Sequence, residues 1–235
     1  AKRAEMVGYA VHTSIAFSLV AGVGMMIVGI TAAPWALRAM STPEDILGPS
    51  TIYIRIYFLG VIGNLIYNMG AGILRAVGDS KRPLYFLIVS CLTNIVLDIA
   101  FVIGLHMGVA GAALATILSQ ALSAVLVLWV LMRTKDMHRL ELSKIRFDGR
   151  MFHRIIRIGL PAGLQSVMYT SSNILIQSSV NALGTDTVAA WTAYSKIDSL
   201  FWMIVNAFGI SITTFVGQNY GAGKMDRVHK GVRTC

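Results

Sequence analysis

The sequence predicts an all-α fold, a polytopic membrane helix bundle of about six transmembrane helices. Three observations carry that prediction. Long uncharged runs recur along the chain, at Ser14–Leu37, Ile56–Leu74, Ile158–Thr185 and Ser199–Gly223. Charged residues fill only 13% of 235 positions, about half the share usual in soluble domains, and the mean hydropathy is +0.67. The remaining Lys and Arg gather in alternate connections. Each uncharged run is close to or beyond the roughly 20 residues that carry a helix across about 30 Å of hydrocarbon. Lipid admits only structures that satisfy their own backbone. One signal peptide does not account for several such runs.

In order, helices are expected near 11–37, 51–76, 83–105, 107–132, 153–183 and 188–217. STPEDILGPS connects the first two. Pro83 suits a helix start, where its missing N–H is not needed. The fourth helix follows a short turn around His106–Gly108. Pro161 lies inside the fifth and is expected to kink it. LGTDT joins the fifth to the sixth. The one long connection follows Arg133 and ends in FDGRMFHRIIRIG, with Phe147, Met151, Phe152, Ile155 and Ile156 among basic residues. A short helix lying in the membrane interface and a solvated connector both fit it. It divides the chain into four helices (1–133), a linker (134–157) and two helices (158–235).

The net charge of +9 would suggest nucleic acid in a soluble protein. Here its location decides otherwise. Lys2 and Arg3 precede the first helix; Arg75, Lys81 and Arg82 flank the second connection. Arg133, Lys135, Arg139, Lys144, Arg146, Arg150, Arg154 and Arg157 crowd the long linker, and Lys224, Arg227, Lys230 and Arg233 follow the last helix. Arg38 and Arg55 fall on the opposite side, where the connections are acidic or neutral, and Lys196 lies within a helix. The positive-inside rule makes the basic side cytoplasmic, and both ends cytoplasmic agrees with an even helix count. No nucleic-acid partner is expected; the bilayer is. Cys91 is expected in packing, Cys235 is the last residue, and neither has disulfide or metal spacing. Gly217, Gly221 and Gly223 are out of order for a nucleotide loop and follow no strand.

Asp98 is the sharpest candidate for chemistry. A carboxylate deep in a span costs roughly 2.5–3.5 kcal/mol on insertion scales, which protonation or cation binding relieves. Asn94, four residues earlier, shares its face. An amide oxygen beside a carboxylate suits Na⁺, and the amide also tunes a carboxyl. A structural buried pair is the alternative. Gly108, Gly111, Ala112 and Ala115 form a small-residue face that permits close approach of the third and fourth helices, which would bring Thr116 within reach of Asp98. On the fifth helix Gln165, Tyr169, Asn173 and Gln177 recur every four residues. This polar stripe should face the bundle or a wet cavity, lining a substrate path or bonding between helices. Asn64, Asn68 and Gly72 form a second such row, read as packing. Lys196 and Asp198, two apart, do not face each other and are expected to find partners elsewhere. The twelve Met are expected mainly as core filling.

The N-terminus AKRAEMVGYAVHTS aligns with the tail from Ala222 at an offset of 221 residues, with identities at Ala1/Ala222, Val7/Val228, Val11/Val232 and Thr13/Thr234. Such repeats are common in transporters. The alignment suggests an internal fragment with helices missing at both ends.

LRAVGDSKRPL, NIVLDIAFVIGLHMGVAGAALATILSQ, the GLP opening the fifth helix and GQNYGAGK, taken in this order and spacing, resemble the multidrug and toxic compound extrusion (MATE) family. The resemblance spans essentially the whole chain. It implies a twelve-helix, two-lobe transporter of the bacterial cytoplasmic membrane, with this chain holding helices three to eight. It implies secondary efflux of amphipathic or cationic drug-like compounds by H⁺ or Na⁺ antiport, with no cofactor beyond the coupling ion and no enzymatic activity. It also implies a cation site at Asn94, Asp98, Ala112 and Thr116, completed by an Asp on a first helix that precedes Ala1. Where the NorM-like branch has a coupling Glu, Tyr169 stands here, which points to the DinF-like branch. A lipid-linked oligosaccharide flippase of the same superfamily would want more cavity cations than Arg55 and Lys196. An intramembrane aspartyl protease would want recognisable settings that Asp98 and Asp198 lack. A non-transporting scaffold would tolerate loss of the polar residues.

Overall fold

In the computed structural model residues 2–39, 44–181 and 184–234 are described, and among them all regular structure is helical. Eight α-helices follow one another: α1 Lys2–Ala39, α2 Glu44–Leu59, α3 Val61–Ala76, α4 Lys81–Asp98, α5 Gly108–Arg133, α6 Gly149–Asn181, α7 Thr185–Gly221 and α8 Met225–Thr234. A π-helical turn, Ile99–Gly104, continues α4, and a single 3₁₀ turn, Leu142–Lys144, interrupts the long connection. Cys235, residues 40–43 of the first connection and the expected end of the fifth helix at 182–183 lie outside the described residues.

Two compact units result, Ala1–Phe152 and His153–Cys235. In the first, α1 packs on α2 and α3, and α5 packs on α2, α3 and α4. Its core joins Val11 and Ile15 of α1 to Ile66, Ala71 and Leu74 of α3 and Val127 and Leu131 of α5, closed by Leu140 from the long connection. Leu140 donates its N–H to the Leu131 carbonyl at 2.8 Å, which ends α5 with a satisfied backbone group. The phenol of Tyr67 donates to the Pro83 carbonyl at 3.0 Å in a buried setting. In the second unit α8 folds back on α7, where Gly231 lies against the Phe215 ring. Residues 225–234 and their offset counterparts near the N-terminus are both helical.

Among the described residues four helices are long and apolar enough to span a bilayer, at Glu5–Ala39, Lys81–Gly104, Gly108–Arg133 and Thr187–Gly221, and a fifth span exists if α2 and α3 form one bent crossing. Six were expected, and two differences account for the gap. The expected helix 51–76 is broken by 42° at Gly60. A Cβ at Gly60 would strike the Ile117 side chain of α5, so the chain turns where only glycine lets α5 in. The expected acidic loop is largely the first turns of α2, where Glu44 and Asp45 suit the positive end of the helix dipole. The second difference is α6. Its 33 residues reach roughly 50 Å at 1.5 Å each, but its polar stripe keeps it out of the apolar class. Helix α6 runs unbroken from Gly149 through Pro161, so FDGRMFHRIIRIG leads into it instead of forming a separate interfacial helix. Cys91 is exposed, not packed. Much of the apolar surface looks outward; only 6% of the α4 span is buried, as suits helices meeting lipid.

Candidate functional site

Asn94 and Asp98 sit one turn apart at the end of α4, immediately before the π-helical turn. In that turn Leu105 N–H reaches the Ala100 carbonyl at 2.9 Å, a five-residue step. Both side chains are partly buried. Among the described residues, Nδ2 of Asn94 and Oδ1 of Asp98 are buried atoms without a hydrogen-bond partner. A half-turn of the Asn94 amide would exchange its nitrogen and oxygen, since their placement follows from bonding and here there is none. An orphaned carboxylate oxygen inside a span is costly, and a proton or a small hard cation is what relieves it.

The opposite wall is α5. Ser90 Oγ donates to the Ser119 carbonyl at 2.6 Å, and Gly111 meets Phe101, whose Cβ would lie 3.0 Å from an added Cβ. Between these two ties the helices run antiparallel. The stretch from Asn94 to Asp98 therefore lies along the part of α5 that holds Ala112 and Thr116. The small-residue face does its expected work at Gly111 and Ala115, both buried. Thr116 donates its hydroxyl proton to the Ala112 carbonyl at 2.9 Å. The Thr116 oxygen keeps its lone pairs, while the Ala112 carbonyl already accepts a bond.

In the second unit a groove of about 1010 Å³ is lined from α6 and α7. Gln165 and Tyr169 of the polar stripe line it; Asn173 and Gln177 lie farther along α6, outside its wall. The two helices make almost no close backbone contact. Across the groove Tyr169 and Trp202 meet edge to face, with ring centroids 6.5 Å apart. Asp198, Trp202 and Asn206 form the α7 side. Trp202 and Asn206 carry no charge, and only their four-residue spacing from Asp198 marks them in the sequence. Neither Lys196 nor Asp198 makes an ion pair among the described residues, so the expected pairing is not found there. Asn68 donates to the Asn64 carbonyl at 2.8 Å and to its Oδ1 at 3.0 Å. That row is bonded along its own helix, and Asn68 is exposed.

Apolar spans, a carboxylate–amide pair inside one of them and an aromatic-walled groove elsewhere define a polytopic membrane protein with polar groups set within its helices. The MatE family model matches residues 1–100 and 161–235, and the chain belongs to that family of transporters. It is 31% identical over 242 residues to the probable multidrug resistance protein YoeA of Bacillus subtilis, covering 99% of this chain and 52% of that protein. It is 32% identical over 213 residues to the probable multidrug resistance protein YpnP of the same organism, covering 88% of this chain and 46% of that one. Among solved structures, a MOP superfamily transporter from Pyrococcus furiosus superposes with a TM-score of 0.84 at 24% identity, over 97% of this chain and 55% of that one. The chain thus spans about half the length of the curated relatives it matches.

Proposed function

We propose that this chain is part of a secondary exporter of amphipathic, often cationic drug-like compounds, driven by inward H⁺ or Na⁺. Residues 1–133 belong to a first lobe, 134–157 to a linker and 158–235 to a second lobe, with both ends of this chain cytoplasmic in a bacterial inner membrane. The observation that carries the reading is the orphaned buried polar pair, Asn94 and Asp98. Asp98 takes the cation, Asn94 and Thr116 offer oxygens, and Ala112 admits close approach. When Asp98 is neutralised, the cost of its burial vanishes and the lobes are free to change access. Gln165 and Tyr169, with Trp202 opposite, supply an aromatic and polar wall for flat cations; Asn173 and Gln177 extend it along α6. Tyr169 in place of a coupling Glu favours coupling in the first lobe, as in the DinF-like branch.

The driving force is adequate. A cation crossing about 100 mV yields roughly 2.3 kcal/mol, and a tenfold gradient adds about 1.4 kcal/mol. One-for-one exchange against a neutral compound therefore sustains a gradient of about 500-fold. Against a monovalent cation no net charge moves, and one ion sustains only about tenfold. The test is Asp98→Asn in the gene with its native flanking sequence, followed by ethidium efflux from cells. The expected result is normal membrane insertion with efflux lost; normal efflux rules out the assignment.

A further inference from the structure

A pocket in the first unit lies apart from the cation pair and the α6–α7 groove. It forms where the first turns of α1 meet the connection after α5 and encloses about 680 Å³. The segments that carry it are tied together, with His12 at the pocket wall and Thr13 and Leu140 behind it. His12 donates from Nδ1 to the Gly8 carbonyl at 2.6 Å and accepts the Glu141 N–H at Nε2 at 3.1 Å. Thr13 Oγ1 accepts the Asp148 N–H at 3.1 Å. Leu140, 1% exposed, anchors the connection in the core.

The wall is rich in unpaired cations. Lys135, Arg139 and Arg146 line the pocket, and among the described residues none has a carboxylate within 4.0 Å. Lys144 is already held by Glu141 at 2.8 Å. Glu5 and Asp136 also reach the wall; Asp136 accepts the Thr134 hydroxyl at 3.1 Å. The Arg146 guanidinium lies over the Tyr9 ring, 4.7 Å from its centroid. That contact uses its face and leaves its N–H edge for an acceptor. The level in the membrane is also defined. The uncharged run of α1 starts at Ser14, just past His12, and α5 ends at Arg133. The pocket therefore lies where headgroups lie, a place where basic side chains attract acidic lipid.

We propose that this pocket binds a phosphate-bearing anion through Lys135, Arg139 and Arg146, with the phosphodiester of an acidic phospholipid as its natural source. The site goes beyond the exporter reading: it involves neither Asp98 nor the groove and stands whichever ion or compound is moved. The ligand would pin the connection between the two units to the start of α1.

The test titrates the detergent-solubilised protein, produced from the gene with its native flanking sequence, with phosphatidylglycerol, phosphatidylcholine or inorganic phosphate and counts bound molecules by native mass spectrometry. Phosphatidylglycerol is expected to bind and to raise the melting temperature, while phosphatidylcholine does neither. The double variant Lys135→Gln, Arg139→Gln should bind phosphatidylglycerol roughly thirtyfold more weakly, and Lys135→Arg, Arg139→Lys should restore it. If inorganic phosphate displaces the lipid at comparable concentration, the pocket serves a soluble phosphate; if it does not, the lipid is the source. Either result supports an anion site. Equal binding of the two lipids, no melting shift in the native chain, or full lipid binding by the double Gln variant overturns it.

Discussion

Replacing Gly111 with leucine should pry α5 away from the turn that follows Asp98. An added Cβ would lie 3.0 Å from the Phe101 Cβ and 3.2 Å from the Phe101 backbone carbon. Backbone cannot swing aside as a side chain can, so the helices must separate. Overpacking of this kind costs about 1–3 kcal/mol, and removing a helical glycine returns no more than about 1 kcal/mol. A net loss of about 1–2 kcal/mol is expected. Gly111→Ala presents the same Cβ without the bulk beyond it and should lose less than leucine. Gly104→Leu is the control, because nothing lies within 4 Å of its position although it sits in the same turn. Unfolding in detergent, followed by tryptophan fluorescence, ranks the three. Because the ties at Ser90–Ser119 and Phe101–Gly111 hold the Asn94–Asp98 stretch against α5, the leucine variant should also weaken cation-dependent stabilisation. A Gly111→Leu protein as stable as the parent, or a Gly104→Leu protein that falls as far, would refute the register.

Three further outcomes follow from the contacts described. Tyr67→Phe removes the buried bond to the Pro83 carbonyl and should destabilise the first unit by about 0.5–1.5 kcal/mol; an unchanged unfolding midpoint contradicts it. A joint Tyr169→Ala, Trp202→Ala variant should lose affinity for a flat cationic dye in equilibrium binding, while a neutral aliphatic probe is less affected; equal losses would mean the rings only pack. The hydrogen bond from Lys144 holds the Glu141 carboxyl below the usual glutamate range. What that bond contributes is present at neutral pH, above the unfolded value, and is lost as pH falls through the lowered folded value. Lys144→Gln should therefore raise the Glu141 titration midpoint seen by carboxyl NMR, and no movement would show the bond absent in solution.

Strongly apolar spans were legible because composition alone defines them: α1, α4, α5 and α7 all lie where hydropathy puts them. Features set by neighbours were not. The bend at Gly60 depends on Ile117, which is distant in sequence, so a run of apolar residues concealed two helices. The helix start at Glu44 was hidden by Pro49, which reads as a loop when the dipole at Glu44 and Asp45 is not weighed. The carboxylate–amide pair was legible from its cost in lipid. Its wall was legible in part, since small residues at Gly111 and Ala115 signal close approach. The α7 side of the groove was not, because Trp202 reads as ordinary core until Tyr169 is placed against it. The orphaned atoms at Asn94 and Asp98 belong to three-dimensional surroundings and have no signature in the sequence.

The central claim is that Asp98 carries the coupling ion, and the most direct measurement records ions moved per substrate in proteoliposomes. Parent protein and Asp98→Asn would be compared under imposed H⁺ and Na⁺ gradients, with a pH-sensitive dye and radioactive sodium read in parallel. The parent should move one of these ions inward whenever substrate leaves, and Asp98→Asn should move neither while still binding substrate. Ion movement of parental stoichiometry in Asp98→Asn would contradict the account and place coupling elsewhere in the protein.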